Sequence, residues 1–314
     1  MAGFISALSA SLVLMLMMSV GYFMGHKGWM GPQEKKFVSR YVMNIAVPLN
    51  CIVSILNNLE RHMLARAGLM LISAYLSIGV TMLLSVLLAN LLKLPWKRWG
   101  VFVCMTGLSN TLFIGIPVCT QLFGDACLPF LMVYWLGNTT YLQSAGIMLV
   151  KHAGSQEVGR FSLIGFMKDL LTKPPVVGVI IGVTLMLLDL QLPGPIMKFA
   201  GYISATVSPL ALLYCGMIIY DLGLKNVRLM RGLPTMLVVR LVVAPVICLV
   251  FCRVFGTTGL ARDVFVIESA LPVVTQATVM AGDYGADVEY AATGACLSTL
   301  GSFITIPILM VLLG

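Results

Sequence analysis

Ten apolar runs follow one another along the chain, each near the length of about 20 residues that a helix needs to cross a bilayer core. They fall at roughly 4–25, 37–57, 66–90, 99–122, 128–150, 174–190, 196–218, 229–252, 262–282 and 291–313. The runs are unbroken rather than alternating, so they predict helices and not the dyad pattern of a transmembrane barrel. The polar gaps between them leave no room for a soluble domain. Composition agrees with this reading. Of 314 residues, 59% are hydrophobic and 10% are charged, against about 25% charged in an ordinary soluble domain. A cytosolic enzyme, a nucleic-acid binder and a disordered chain are thereby excluded. The expected class is an all-α membrane protein of ten transmembrane helices, with membrane lipid around it and no nucleic-acid partner. The eight cysteines lie mostly inside apolar runs and form no C-x-x-C pair. Neither a zinc site nor a disulfide framework is expected from them.

The net charge of +8 is read as basic loops on one side of a membrane. Fourteen of the 20 basic residues fall in the loops after runs one, three, five and seven: Lys27, Lys35, Lys36, Arg40; Lys93, Lys97, Arg98; Lys151, Arg160, Lys168, Lys173; and Lys225, Arg228, Arg231. Five fall on the other side, namely Arg61, Arg66, Lys198, Arg253 and Arg262, and Arg240 lies inside run eight. The richer side is expected to be cytoplasmic, which puts both termini outside a cytoplasmic (inner) membrane. The first run has no basic residue before Lys27. It lacks the n-region of a cleaved signal peptide and is expected to be a retained helix. In the longest gap, residues 161–171 read as a helix lying at the interface.

Positions recur at an offset of 161. Tyr41 and Pro48 recur as Tyr202 and Pro209, Gly21 as Gly182, and Phe123-Gly124 as Tyr284-Gly285. Each half then holds five runs. Five is odd, so the second copy must cross the membrane in the opposite sense. This inverted-topology repeat is a common transporter design. The expected organisation is a first repeat at 1–150, a cytoplasmic linker at 151–173 and a second repeat at 174–314.

Two runs carry signs of interruption. Run four reads Ser109-Asn-Thr-Leu-Phe-Ile-Gly-Ile-Pro117, and Pro117 with Gly115 predicts a break near mid-span. Run nine reads Glu268-Ser-Ala-Leu-Pro-Val-Val-Thr-Gln276, with its own Pro272. Unwound backbone at that depth needs a cavity, water or a ligand. Broken helices at corresponding places in two halves point to a binding site. The candidate substrate-binding residues are Asn110, Thr111, Gly115, Pro117, Pro272, Thr275 and Gln276, with Asn44 and Asn138 from runs two and five. Only two charges fall clearly within runs, away from their ends, Arg240 and Glu268. Charges there cost roughly 2.5–3.5 kcal/mol on insertion scales and need a reason. Three readings stand open. The two pair structurally, Glu268 binds a coupling cation or carries a proton beside Ser109 and Asn110, or Arg240 faces an anionic substrate.

The motif Asn110-Thr-x-x-x-Gly-x-Pro117 combines with Asn44-Ile-Ala-Val-Pro-Leu49, Ser208-Pro-Leu-Ala-Leu-Leu213, Leu271-Pro272, Ala281-Gly-Asp-Tyr-Gly-Ala286 and Thr305-Ile-Pro-Ile308. Together they resemble the auxin efflux carrier family over essentially the whole chain. With no long hydrophilic central loop, the chain looks like a compact bacterial member. The resemblance implies a fold shared with bile acid sodium symporters. Spans one, two, six and seven would form a scaffold and the contact of a homodimer. The remaining spans would form a core that moves like an elevator, with spans four and nine crossing at their breaks. The implied substrate is a small organic anion, since relatives carry malate, malonate or indole-3-acetate. In sodium-coupled relatives, a Ser-Asn pair and a Glu hold sodium. Ser109, Asn110 and Glu268 occupy similar places, so the resemblance offers sodium at Glu268 and Asn110. A glutamine one turn after that Glu is replaced here by Pro272. Coupling to sodium or to protons both stay open, and no other cofactor is expected. An anion channel or a membrane receptor with the same site is the rival reading. The sequence has no G-x-S-x-G, no intramembrane Asp pair and no H-E-x-x-H, so an enzyme is not expected.

Overall fold

The computed structural model describes residues 2–59, 61–154, 162–223 and 228–313. Thirteen helices account for the architecture among these residues. They are α1 (Ala2–His26), α2 (Pro32–Asn58), α3 (Arg61–Leu91), α4 (Trp96–Gly107), α5 (Thr111–Phe123), α6 (128–153) and α7 (Leu163–Leu171). There follow α8 (Pro174–Leu187), α9 (Gly194–Asp221), α10 (Leu233–Val254), α11 (Gly259–Ala270), α12 (Gln276–Tyr284) and α13 (Val288–Leu313). No strand occurs among the described residues, only one isolated antiparallel bridge between Ser109 and Val273. Five helices are long and apolar enough to cross a membrane by themselves: α2, Ala67–Leu91 within α3, α9, α10 and α13. The α7–α8 pair, bent by 71°, passes the same test as a broken unit. Leu12–His26 and α5 are shorter apolar helices. Of the expected interfacial helix, α7 is seen and Phe161 lies outside the described residues, as do Arg160 and Lys225.

Prolines shape the long helices through a common device. Proline lacks the N–H for the bond to residue i−4 and its ring clashes with that carbonyl. Before Pro48, Pro117 and Pro245 the chain widens into π-helical turns at Val42–Ala46, Thr111–Gly115 and Val239–Val243. Each turn covers residues i−6 to i−2 relative to its proline. The widened turn moves the clashing carbonyl aside, and the helix continues.

Pro117 therefore does not break run four. The interruption comes earlier, where Leu108 is extended (φ −119°, ψ 135°) and Asn110 leaves helical geometry (φ −85°, ψ 68°). In run nine the break lies between Ala270 and Gln276. There Pro272 forces its predecessor Leu271 into the extended region (φ −63°, ψ 158°).

Packing falls into two groups. The helix α1 lies along α9, and α2 packs on α8 and α9. Meanwhile α3 packs on α4, α6 and α10, and α10 packs on α11. One buried apolar cluster is drawn entirely from α3, α4, α6, α10, α11, α12 and α13 with the segments joining them, including Ile78, Phe102, Tyr134, Met236, Phe265 and Tyr290. The cores thus interleave the two halves of the chain. Bare glycine backbone allows the closest approaches. A Cβ on Gly21 would collide with the Leu213 carbonyl, and one on Gly182 would press on Ile52 and Ile55. Gly124 and Gly285 both adopt left-handed φ (69° and 77°) just after α5 and α12. Large apolar side chains such as Leu83, Leu87, Val250, Val254, Ile304 and Leu312 stay exposed along α3, α10 and α13. An apolar outer band of this kind suits a hydrocarbon surrounding.

Candidate functional site

The two interrupted runs meet at their breaks. Asn110 donates its N–H to the Pro272 carbonyl (2.9 Å), and Val274 donates to the Leu108 carbonyl (3.2 Å). These bonds make a minimal antiparallel pair from two extended segments. The outer edges are closed by side chains. Asn138 accepts from the Ser109 N–H (3.1 Å) and donates to the Ser109 carbonyl (2.9 Å). On the far side, Ser298 accepts from the Val273 N–H (3.2 Å). Backbone groups that leave a helix in a buried place must find partners, and here they find them across the crossing. Run four opens without a proline at its break because Asn138 supplies the missing amide partner.

Four helix ends converge there. α4 and α11 finish at the crossing, and α5 and α12 begin at it. The starts of α5 and α12 carry the partial positive charge of helix N-termini, and in α12 the Ala277 and Thr278 N–H groups turn back to the Val274 and Thr275 carbonyls. A cavity of about 80 Å³ lies beside them, lined by Ser109, Asn110, Thr111, Asn138, Thr275 and Gln276 among others. Asn110 is buried, and its Nδ2 has no hydrogen-bond partner among the described residues. The Ser109 hydroxyl is likewise buried and unpartnered. A buried donor without a partner costs about 1–3 kcal/mol unless something else satisfies it. A larger vestibule of about 720 Å³ adjoins this cavity, and Met43, Phe113, Gln143, Thr275 and Gln276 line both. Its walls carry Lys35, Lys36 and Arg40, with Lys35 paired to Asp221.

The expected site residues are therefore only partly gathered. Ser109, Asn110, Thr111, Asn138, Thr275 and Gln276 share the cavity. Pro272 contributes its carbonyl to the crossing rather than a wall. Pro117 lies in a different groove beside Leu14 and Pro209. Asn44 is exposed and lines neither the cavity nor the vestibule. Gly115 sits under the Glu268 carboxylate, where a Cβ would collide with it. Sequence reasoning missed Lys173, Trp135 and Thr139, which also line the cavity. Lys173 precedes α8 and reads from sequence as an ordinary basic loop residue.

The two buried charges make different connections. Arg240 donates from Nη1 to the Thr106 carbonyl (3.3 Å) and from Nη2 to the Ser269 carbonyl. Glu268 accepts from the Cys119 thiol at 3.3 Å, and its Oε2 has no hydrogen-bond partner among the described residues. No ion pair joins Arg240 and Glu268 among the described residues. Neither residue lines the cavity or the vestibule.

Apolar helices, an apolar outer band and a polar cavity at a crossing of broken helices define a helical membrane protein with an internal polar cavity. Comparison with known proteins narrows the class. A family model described as "Membrane transport protein" matches residues 6–310. The chain belongs to this family, which includes the auxin efflux carriers. It is also similar to an "Uncharacterized transporter" of Methanothermobacter thermautotrophicus, at 26% identity over 99% of both chains. A second relative with the same description, from Methanocaldococcus jannaschii, is 23% identical over 94% of this chain and 95% of its own. Both are archaeal proteins.

Proposed function

We propose that the chain is a secondary transporter that carries a small organic anion, a mono- or dicarboxylate, across the cytoplasmic membrane by an elevator-type mechanism. The single observation behind this reading is the unpartnered Asn110 amide in a cavity beside two helix N-termini. Amide donors and positive dipole ends suit a carboxylate. The vestibule's Lys36 and Arg40 would gather anions from the cytoplasmic side, a long-range effect that salt screens.

The architecture supports ten crossings in two inverted repeats. Gly21 meets Leu213 while Gly182 meets Ile52, so the two contacts correspond at the 161 offset, Gly21 to Gly182 and Ile52 to Leu213. The connections also sort by side. Lys35 pairs with Asp221, Arg98 with Asp287, and the Trp96 indole donates to the His152 carbonyl. Five of these six belong to the loops, or the helix ends beside them, that the basic residues assign to the cytoplasm, and Asp287 lies after run nine, which alternation puts on the same side. α1, α2, α8 and α9 would be the scaffold and the contact of a homodimer. The cluster drawn from α3, α4, α6 and α10–α13 would be the moving core, with α5 carried along by the crossing. Glu268, buried with a free oxygen in that core, is the residue for ion coupling. The test is flux in proteoliposomes. Saturable uptake that is accelerated by the same anion inside supports a carrier. Unsaturated flux with no counterflow would indicate a channel.

A further inference from the structure

We propose that Arg240 is the resident cation of the crossover, standing where cation-coupled carriers hold an ion, so that the anion is bound and moved without sodium. The inference rests on the transporter reading for its meaning in a cycle, but its geometry does not depend on any substrate. Arg240 is 1% exposed, in the middle of α10. Its two terminal nitrogens reach Thr106 and Ser269. These are the penultimate residues of α4 and α11, the two half-helices that end at the crossing. The last carbonyls of a helix have no partners within it and carry roughly half a negative charge. Two such ends brought together amount to about one negative charge. One guanidinium, always protonated and with a planar fork of donors, matches both the charge and the divergence of the two carbonyls.

Half-helix C-terminal ends and unwound carbonyls are the groups that coordinate coupling ions in broken-helix transporters. Here they are already bonded. The family resemblance offers sodium at Ser109, Asn110 and Glu268, and these residues do not fit it. Ser109 and Asn110 face the cavity, whereas the Glu268 carboxylate rests on Gly115 and accepts from Cys119. A mobile cation added there would also meet the fixed positive charge of Arg240 at low dielectric. Arg240 lines neither cavity, so its role is positioning: it holds α4 and α11 at the angle that opens the crossing.

The test uses the purified full chain in detergent, melted in sodium, potassium and choline chloride at equal ionic strength. Wild type is expected to melt at the same temperature in all three. A rise specific to sodium and graded with its concentration would overturn the proposal. Arg240→Ala is expected to melt several degrees lower and to recover part of that loss with low concentrations of methylguanidinium or sodium but not choline. A variant as stable as wild type and indifferent to cations would show that the guanidinium offsets nothing, and would also overturn it. If Arg240→Ala yields no folded protein, Arg240→Lys decides. It keeps the charge and is expected to stay indifferent to sodium, and a sodium response in it counts against the proposal. No arm uses a substrate. Loss of the organic-anion reading would leave these results standing, and sodium-dependent melting would leave that reading intact.

Discussion

Asn138 and Asn110 are both buried asparagines at one cavity, yet their roles differ. Asn138 commits its carbonyl oxygen and its amide nitrogen to the backbone of Ser109. Asn110 leaves its amide nitrogen free. Sequence singled out both because polar side chains are rare in apolar runs. It does not separate a side chain clamped to backbone from one whose amide is left free, since the difference lies in a partner 29 residues away. Glu268 and Arg240 show the same limit. Their burial was legible, but not that Arg240 turns to two carbonyls and Glu268 to Cys119. If Glu268 neutralised Arg240, Glu268→Gln would cost roughly 3–5 kcal/mol. We expect a cost of about 1 kcal/mol or less, because the amide oxygen still accepts from Cys119. In proteoliposomes, Glu268→Gln is expected to retain substrate exchange and to lose accumulation driven by a proton gradient. The double variant with Arg240→Met should not recover it. Unchanged accumulation in Glu268→Gln would remove the coupling role.

Among the helices, prolines mark stress without saying how it is relieved. Pro272 ends α11, whereas Pro48, Pro117 and Pro245 are absorbed by π-helical turns. What separates these outcomes is whether a tertiary partner waits for unwound backbone. At Leu108–Asn110 one does, from α6 and from the other half of the chain, and the helix opens there with no proline. The expected break at Pro117 was displaced for that reason. The glycine seams were more legible, since the 161 offset joined Gly21 to Gly182 before any contact was known. Gly21→Leu should force α1 away from Leu213 and destabilise the fold by about 1–3 kcal/mol, the usual cost of overpacking. A lowered melting temperature in detergent checks this. Gly201→Leu serves as the control, because nothing lies within 4 Å of a Cβ there.

For the whole molecule, the helical class and the family were readable from run length and motif combination. The packing of α1 on α9 and α2 on α8 was not, because apolar helices of similar composition offer no surface code for choosing neighbours. The proposed orientation rests on the charge asymmetry and is open to direct test. All eight native cysteines are buried, and Lys97 is exposed. Lys97→Cys should therefore resist a membrane-impermeant maleimide in intact cells and react in inverted vesicles. Ready labelling in intact cells would reverse the assigned topology.

In the proposed transporter, an organic anion is held at the crossing by the free amide of Asn110. Calorimetric titration of mono- and dicarboxylates into purified wild type and Asn110→Ala tests it most directly. A hydrogen bond to a charged group contributes about 1.5–3 kcal/mol, or roughly 10- to 100-fold in Kd. A carboxylate is expected to bind wild type, and Asn110→Ala to weaken it by that factor while melting no lower than wild type. Equal affinity in the two proteins would contradict it.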